Sequence, residues 1–537
     1  MENENKKVAY FSMEYAVDQS LKIYSGGLGF LAGSYLRSTY ALKKNMIGIG
    51  ILFTNGYHDQ ERDYDGKMEV KFTKKRYYFL KDTEILFSMV VHGNTIWVKV
   101  YLLSSEIFQT SPIYLLTTDI PQNDFLARSI SFRLYDNNHE ARIAQFMLLG
   151  IGGGKLIDIL NYQPDIYHLN EGHGLPLIFH LLTKYKNKEE VKKRIVFTTH
   201  TPEKAGNEEI SVKLLEDMNF FGSLTSTDAL EMLDEKEDTL NFTLTALRMS
   251  HRANGVSEIH GKVANNMWGG NTGVQKIISI TNAQSKEFWM DKELENYMQS
   301  GDDFAFMKRK NHLKKGLFKI VADQTGKLFK EDICTIVWAR RITSYKRPDL
   351  LIKDFDRFLG LINNQKYPVQ IIWAGKTYPE DTDSIDLFNK LIEISNEYAN
   401  CAVLIGYEMD LSAALKKGAD IWLNTPVYTR ESSGTSGMTA AMNGAVNVSI
   451  PDGWVAEFAE HGKNSFIISV NPTASHEEQD TEDNQNLFKI LEEETLPLFY
   501  DKKHLWTNIM KAGMRDVMVR FDSDRMAKEY YEKLYKD

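Results

Sequence analysis

The residues best equipped for chemistry gather just after apolar runs that read as strands. Glu171 and His173 follow DIYHLN, His200 closes RIVFTTH, and Arg340, Arg341, Lys346 and Arg347 follow CTIVWA in the segment RRITSYKR. Arg341 and Lys346 in one turn suit an anion clamp, because a guanidinium offers a fork of donors and an ammonium a compact charge. Two glycine-rich turns add to this. IYSGGLGFLAG carries Gly26, Gly27 and Gly29, and ESSGTSGMT carries Glu431, Ser433, Gly434, Thr435, Ser436, Gly437 and Thr439. Each feeds a helix, and bare backbone at a helix start, with unpaired N–H groups and the positive end of the dipole, is suited to phosphate. Taken singly, every one of these features has an ordinary structural explanation. Their shared place at strand ends gives them weight, since open parallel sheets bind ligands beyond the carboxyl ends of their strands.

The elements that must position these residues follow from short runs of Val, Ile and aromatics alternating with longer stretches at helical spacing. Strands are expected at VAYFSM (8–13), MIGIGILF (46–53), DIYHLN (165–170) and RIVFTTH (194–200), then at CTIVWAR (334–340), VQIIWAG (369–375), CAVLIGY (401–407), ADIWLN (419–424) and AVNVSI (445–450). FSMVVHGNTIWVKVYLL (87–103) alternates like an antiparallel hairpin decorating the first half. The fold class is therefore α/β, with two doubly wound Rossmann-like halves. Residues 1–285 form an N-terminal domain, 286–500 a C-terminal domain, and 501–537 terminal helices packing back. The acidic stretch SHEEQDTEDNQN (475–486) reads as a solvated loop and the basic MKRKNHLKK (307–315) as a solvent-facing helix.

Composition narrows the class of partner. The chain has 537 residues, 43% hydrophobic and 12% aromatic, enough for two substantial cores, and a formal charge of -9 from 73 acidic against 64 basic residues. That balance argues against a nucleic-acid surface held by bulk electrostatics and leaves a neutral or locally anionic small ligand. The 2 cysteines, Cys334 and Cys401, lie in apolar runs and read as buried thiols, which with the polar start MENENKK points to a cytoplasmic protein that makes no use of a membrane. No zinc-like spacing, phosphate-loop lysine motif, dinucleotide fingerprint or serine-nucleophile elbow is present, so no metal is expected. Two glycine turns and a cationic clamp, divided between the halves, describe a cleft gripping a phosphorylated or diphosphate ligand.

In order along the chain, VAYFSMEY, IYSGGLGFLAGSYL, GYHDQ, YHLNEGH, VFTTHTPEKAGN, ANGVSEIHG, ARRITSYKRPDLLI, WLNTP and ESSGTSGM with NGAVNVSIPDGW resemble the α-glucan (glycogen, maltodextrin) phosphorylases in their short bacterial and archaeal form. The resemblance implies the GT-B architecture, two Rossmann-like domains facing a central cleft, and transfer with retention of anomeric configuration. It implies that Gly27 and Leu28 line the sugar-phosphate pocket, and that the His200 carbonyl stabilises charge developing at the anomeric carbon. Glu431, Ser433, Gly434 and Asn282 would meet the sugar. Arg341 and Lys346 would hold the phosphate, with Glu171 and His173 near the acceptor. A homodimer follows by family analogy.

One position departs from that pattern. The family carries at the place of Thr439 a lysine that forms an imine with pyridoxal phosphate, and threonine has no amine. Tyr407, Trp289 and the glycine turn of that cofactor pocket remain and Arg340 is a cation beside it, while TNAQS (281–285) and Glu258 drift from the family's usual residues. No covalent cofactor is therefore expected. Thr435, Ser436, Gly437 and Thr439 would instead face a second phosphate, and the donor would be a sugar phosphate or, preferably, a nucleotide sugar, with a carbohydrate acceptor. Two other readings stay open: a glucan phosphorylase releasing glucose 1-phosphate with pyridoxal phosphate bound non-covalently, and an inactive homologue that binds glucan or sugar phosphate.

Overall fold

The structure, a computed structural model, describes residues 6–203, 206–233, 235 and 238–536. Lys204 and Ala205 of the THTPEKAGN motif, and the opening residues of MENENKK, lie outside them. The chain forms two compact units: Met1–His58, Phe72–Asn282 and Ser523–Asp537 make the first, and Asp59–Lys71 with Ala283–Asp522 make the second. The segment expected as one terminal element from residue 501 is thus divided at Ser523. A stretch within the first half of the sequence belongs to the second unit.

The sheet of the first unit runs, edge to edge, Ile277–Ser279, Arg252–Gly255, Ile195–Thr198, Ile166–Asn170, Val8–Phe11, Met46–Ile51, Ile113–Thr117, Asn94–Leu103 and Lys81–Val91. Neighbours are parallel as far as Ile113–Thr117 and antiparallel beyond it. The hairpin expected at 87–103 is therefore no ornament, because it extends the main sheet. Its order reverses between Val8–Phe11 and Ile166–Asn170, which sets the switch point beside the residues that follow those two strands. A buried polar chain ties the terminal segment to this sheet. Tyr35 and Tyr535 share a hydroxyl contact of 2.6 Å, the Tyr535 hydroxyl lies 2.7 Å from His168 Nδ1, and His168 Nε2 lies 2.8 Å from Thr198 Oγ1. Thr198 Oγ1 donates to Asn254 Oδ1 at 2.7 Å, so Thr198 accepts from His168 Nε2–H, and His168 Nδ1 accepts from Tyr535. Burial, with the nearby His200, holds the imidazole at about 3, so it stays neutral.

The second unit has a six-stranded, wholly parallel sheet ordered Cys401–Leu404, Val369–Ala374, Cys334–Ala339, Ile421–Asn424, Val446–Ser449 and Ser465–Ile467. Its central strands are continuous hydrophobic runs because helices cover both faces. Val337, Ala339, Ile372, Leu404 and Trp422 pack against Leu317 and Val321 of the helix Asp303–Thr325 and Leu411 and Leu415 of the helix Met409–Gly418. Here the reversal lies between Cys334–Ala339 and Ile421–Asn424, where RRITSYKR and the approach to ESSGTSGMT begin. Cys334 and Cys401 are buried free thiols.

Two sequence expectations change. The acidic stretch is a helix, His476–Lys489, opened by a capping box between Ser475 and Glu478. Asp480 and Asp483 take the Arg347 guanidinium at 2.9 and 2.7 Å, and Arg347 also donates to the carbonyls of Thr425 and Pro426. The basic stretch is helical, but Lys310 and Lys314 are buried. Lys310 donates to the carbonyls of Lys417 and Asn443, and Lys314 pairs with Asp420 at 2.5 Å. Neither stretch serves only as a solvated surface. Among the described residues no helix is long and apolar enough to cross a membrane.

The Tyr535 contact can be checked directly. Tyr535→Phe leaves His168 Nδ1 buried without its donor and is expected to cost about 1–3 kcal/mol of apparent stability in urea, whereas Tyr64→Phe, at a fully exposed ring, leaves the midpoint in place. Equal midpoints for the two variants would refute the polarised chain.

Candidate functional site

In the second unit the chemistry centres on Glu431. Its carboxylate accepts from Lys346 Nζ at 2.8 and 3.1 Å and lies 2.9 Å from Arg340 Nη2, all three side chains being buried. Burial alone pushes this carboxyl up, but Arg340, then Lys346, then Arg341 outweigh it and hold it down at about 2. Two loops must meet for this to happen, one after Ala339 and one after Asn424. Trp338 Nε1 donates to Thr425 Oγ1 at 3.0 Å, Thr425 Oγ1 donates to the carbonyls of Lys346 and Arg347, and Arg347, at φ 47°, clasps both loops to the acidic helix.

A second carboxylate fixes the Glu431 backbone. Asp452 accepts from the Glu431 N–H at 2.9 Å and the Gly453 N–H at 2.8 Å, and the Trp454 N–H donates to the Ser433 carbonyl at 3.0 Å. Gly453 sits at φ 55°, with the Ser433 carbonyl oxygen 2.2 Å from where a Cβ would stand, so only glycine permits this approach. Burial drives the Asp452 carboxyl up to about 7, with Glu431 adding to it and the backbone donors opposing. Around this frame several donors are unsatisfied. Arg340 Nε and Nη1, Ser433 Oγ and Ser436 Oγ are buried without a hydrogen-bond partner among the described residues.

The expected anion clamp is therefore rearranged. Arg340, not Arg341, stands buried beside Lys346 and Glu431, while Arg341 is exposed and acts on Glu431 as a weaker, more distant charge. Ser433, Gly434, Thr435, Ser436 and Gly437 gather at the same loop, with Gly434 at φ 72° against Arg340 and Glu431. The helix they enter, Ser436–Ala441, has only 6 residues, so charge selectivity comes from the two cations and not from a helix dipole. Thr439 is also corrected. It is buried, and its hydroxyl donates to the Ser436 carbonyl at 3.0 Å, which spends the hydrogen a phosphate would need.

In the first unit, the switch point holds two carboxylates that the cationic picture does not prepare for. Glu14 accepts from the Ser25 N–H at 2.7 Å, the Gly26 N–H at 3.1 Å, the Ser25 hydroxyl and the Tyr135 hydroxyl. The first glycine turn thus already holds an anion of its own. The helix begins at Gly27, which is exposed, with Leu28 half-buried, and these two positions remain open to a ligand. Gly29 serves packing: a Cβ there would stand 2.6 Å from Tyr24 Cβ. Glu171, at φ 77°, accepts from the His200 N–H at 2.7 Å and from the Gly172 N–H, so it positions the His200 peptide. Burial raises it to about 7 against those bonds.

His200 itself is oriented by Asn170, whose Oδ1 lies 2.7 Å from Nε2 while its Nδ2 donates to Ser12 Oγ. Nε2 therefore carries the proton. Burial, then His260 and His173, lower the ring to about 3, which keeps it neutral. Nearby polar atoms without partners among the described residues include Asn282 Oδ1, Thr199 Oγ1 and His173 Nδ1, the last on a ring between Tyr135 and Phe146. Neutral donors and acceptors suit hydroxyl groups better than phosphate. Glu258, the other drifted position, opens the helix Glu258–Trp268, where an acid suits the helix start. Sequence reading missed Glu14, Asn170 and Asp452 as organising groups. Among the described residues no cluster of side chains could hold a metal ion.

Comparison with known proteins agrees with this division. The family model described as carbohydrate phosphorylase matches residues 267–497, and the one described as starch synthase catalytic domain matches residues 7–280. The chain is 43% identical over 532 residues to an uncharacterized protein of Methanocaldococcus jannaschii, covering 99% of this chain and 100% of that one. It is 31% identical to maltodextrin phosphorylase of Thermococcus litoralis, over 98% of this chain and 70% of that enzyme. With glycogen phosphorylase of Aquifex aeolicus the identity is 28%, over 99% and 86% respectively.

The two raised carboxyls give a pH signature. In the fold Glu171 and Asp452 keep their protons to about 7, whereas unfolded they release them near the usual value of roughly 4. The native chain binds more protons across that window, so its stability falls as pH rises through it and levels off above. Urea unfolding at a series of pH values should show Glu171→Gln and Asp452→Asn each flattening this decline. Slopes identical to the parent's in both variants would place the titration elsewhere.

Proposed function

Because this chain belongs to the carbohydrate phosphorylase family of glycosyltransferases, we propose that it transfers a hexosyl unit, with retention of configuration, between a carbohydrate acceptor and a phosphate held by Arg340 and Lys346. The observation that carries this reading is the pair of buried Arg340 N–H groups left without acceptors beside the Ser433 and Ser436 hydroxyls. Burying such donors unpaired is costly, and a phosphate with several acceptor oxygens removes the cost with charge-assisted bonds. Glu431 keeps the two cations from needing a permanent counter-ion. It also presents a carboxylate to sugar hydroxyls at the same place.

The division of labour follows from charge. The second unit supplies the cations for the phosphate. The first carries neutral groups suited to sugar hydroxyls: His200, His173, Asn282 Oδ1 and the positions Gly27 and Leu28. Positive charge developing at the anomeric carbon is met by the His200 carbonyl, on a residue that Glu171 anchors through the backbone N–H of His200. Preorganised dipoles and the phosphate itself stabilise that charge, so no carboxylate nucleophile is required.

Pyridoxal phosphate, implied by the resemblance, divides into two tests. A phosphate group fits the unsatisfied donors of Arg340, Ser433 and Ser436. The covalent tether does not fit at Thr439, which lacks an amine and has its hydroxyl bound to Ser436. A nucleotide-sugar donor would bring its diphosphate to the same donors, and it would need in addition a seat for its base.

Arg340→Ala is expected to weaken binding of inorganic phosphate, measured by calorimetry, by about 10- to 100-fold, with Arg340→Lys intermediate. Unchanged affinity in the alanine variant would remove the clamp. Borohydride reduction of the purified protein followed by peptide mapping should find no pyridoxyl group on any lysine. A labelled lysine would overturn the cofactor-independent reading.

A further inference from the structure

The hairpin Asp59–Lys71, formed by the antiparallel strands Asp59–Arg62 and Met68–Lys71, belongs to the second unit although the sequence around it belongs to the first. Its attachment is specific. Gln60 Nε2 donates to the Gly375 carbonyl at 2.9 Å, and Gln60 Oε1 accepts from the Gly406 and Tyr407 N–H groups at 3.1 and 3.2 Å. Arg62 donates to the Val403 carbonyl at 2.7 Å, and the Met68 N–H donates to Asn389. Gln60 is buried at 7% exposure.

The place matters more than the count of bonds. Gly375 follows the strand Val369–Ala374, and Gly406 and Tyr407 follow Cys401–Leu404, the two strands on one side of Cys334–Ala339. The loop after Ala374 runs along the clamp itself: the Arg340 N–H donates to the Ala374 carbonyl at 3.2 Å and the Ile342 N–H to the Lys376 carbonyl at 2.9 Å. In an open parallel sheet a nucleotide whose phosphates sit at the switch point lays its nucleoside over the carboxyl ends of the neighbouring strands, where backbone N–H and C=O groups read the base edge. The Gln60 carboxamide offers to those groups a planar acceptor and donor side by side, as a base edge would, and uses them up. Two further groups there are engaged. Lys376 Nζ lies 3.2 Å from Glu408 Oε1 with both side chains buried, which pairs off a carboxylate suited to ribose hydroxyls, and the Tyr407 hydroxyl donates to the Ala339 carbonyl at 3.3 Å.

We propose that the Gln60 hairpin fills the nucleoside subsite beside the Arg340–Lys346 clamp and so restricts it to compact phosphates, orthophosphate and sugar 1-phosphates, against nucleoside diphosphate sugars. The inference rests on the clamp assigned above and adds the donor class. It reverses the preference for a nucleotide sugar that the loss of an amine at Thr439 suggests from sequence.

The test is calorimetry on the whole chain with inorganic phosphate, glucose 1-phosphate, ADP, UDP and their glucose conjugates. The parent protein should bind the first two, and every nucleotide at least about tenfold more weakly. Replacing residues 60–70 by a short glycine-serine linker should strengthen nucleotide binding by at least about tenfold and leave phosphate unchanged, while Gln60→Leu, which keeps the volume, stays closed. Where the linker variant fails to fold in urea titration, Gln60→Ala, which frees the Gly375, Gly406 and Tyr407 backbone groups and keeps the hairpin, takes its place and should bind nucleotides more tightly than the parent. A parent that binds phosphate and nucleotides equally well overturns the plug and leaves the clamp standing, as does a folded linker variant with no gain for nucleotides. A parent that binds neither class overturns the clamp, and the plug with it.

Discussion

The second unit depends on one buried contact, the Glu431 carboxylate held between Arg340 and Lys346. Two cations and one anion in a dry place leave an excess of positive charge, and a buried carboxyl at Asp452 that keeps its proton to about 7 does little to cancel it. An isolated arrangement of this kind would be expensive, because removing charges from water costs several kcal/mol per ion, of order, before any pairing is counted. What makes it affordable is geometry imposed from outside the cluster. Arg347, bound to two loop carbonyls and two aspartates of the acidic helix, locks the cationic loop against the Glu431 loop. Asp452, bound to backbone N–H groups, sets the peptide from which Glu431 projects. The cluster is thus preorganised by groups that never need to meet a substrate.

The two units share a doubly wound architecture of the GT-B type and differ in electrostatics. At the switch point of the first unit stand Glu14 and Glu171, both turned to backbone donors, and neutral histidines. At that of the second stand Arg340 and Lys346. The same backbone geometry therefore presents neutral donors and acceptors in one case and buried cations in the other. Fold supplies a place beyond the strand ends, and side chains decide what the place can hold.

How much of this was legible in sequence depends on how local each signal is. All nine expected strands are present, because continuous Val-, Ile- and Trp-rich runs such as CTIVWA leave few alternatives once buried on both faces. The three-residue strands Glu209–Ser211, Thr239–Asn241, Ile277–Ser279 and Ser465–Ile467 carry too few residues to show a period. SHEEQDTEDNQN was unreadable for another reason: its charges are paid for by Arg347, far away along the chain, so local composition pointed to water. Within the site, adjacent Arg340 and Arg341 are equivalent by spacing, and only the register at the end of the strand decides which turns inward. Glu14 and Asp452 were invisible because their partners are mainly backbone N–H groups, which every sequence has.

Thr439 shows the same limit at the level of function. Its identity excludes an imine, a chemical fact readable from one letter, but what the residue does in its place depends on packing. In a helix of 6 residues its hydroxyl turns back on the Ser436 carbonyl, while Asn443 Nδ2 bridges the Thr439 and Trp289 carbonyls at 2.8 and 2.9 Å. The position is part of the scaffold beneath the Ser436 loop. Arg340 and Lys346 reach the same loop from another strand, so the positive charge there is present without a cation at position 439. An amine at position 439 would serve a covalent tether, whereas in the proposed reading the electrostatic work of holding a phosphate rests with Arg340 and Lys346, whose pairing with Glu431 does not involve Thr439.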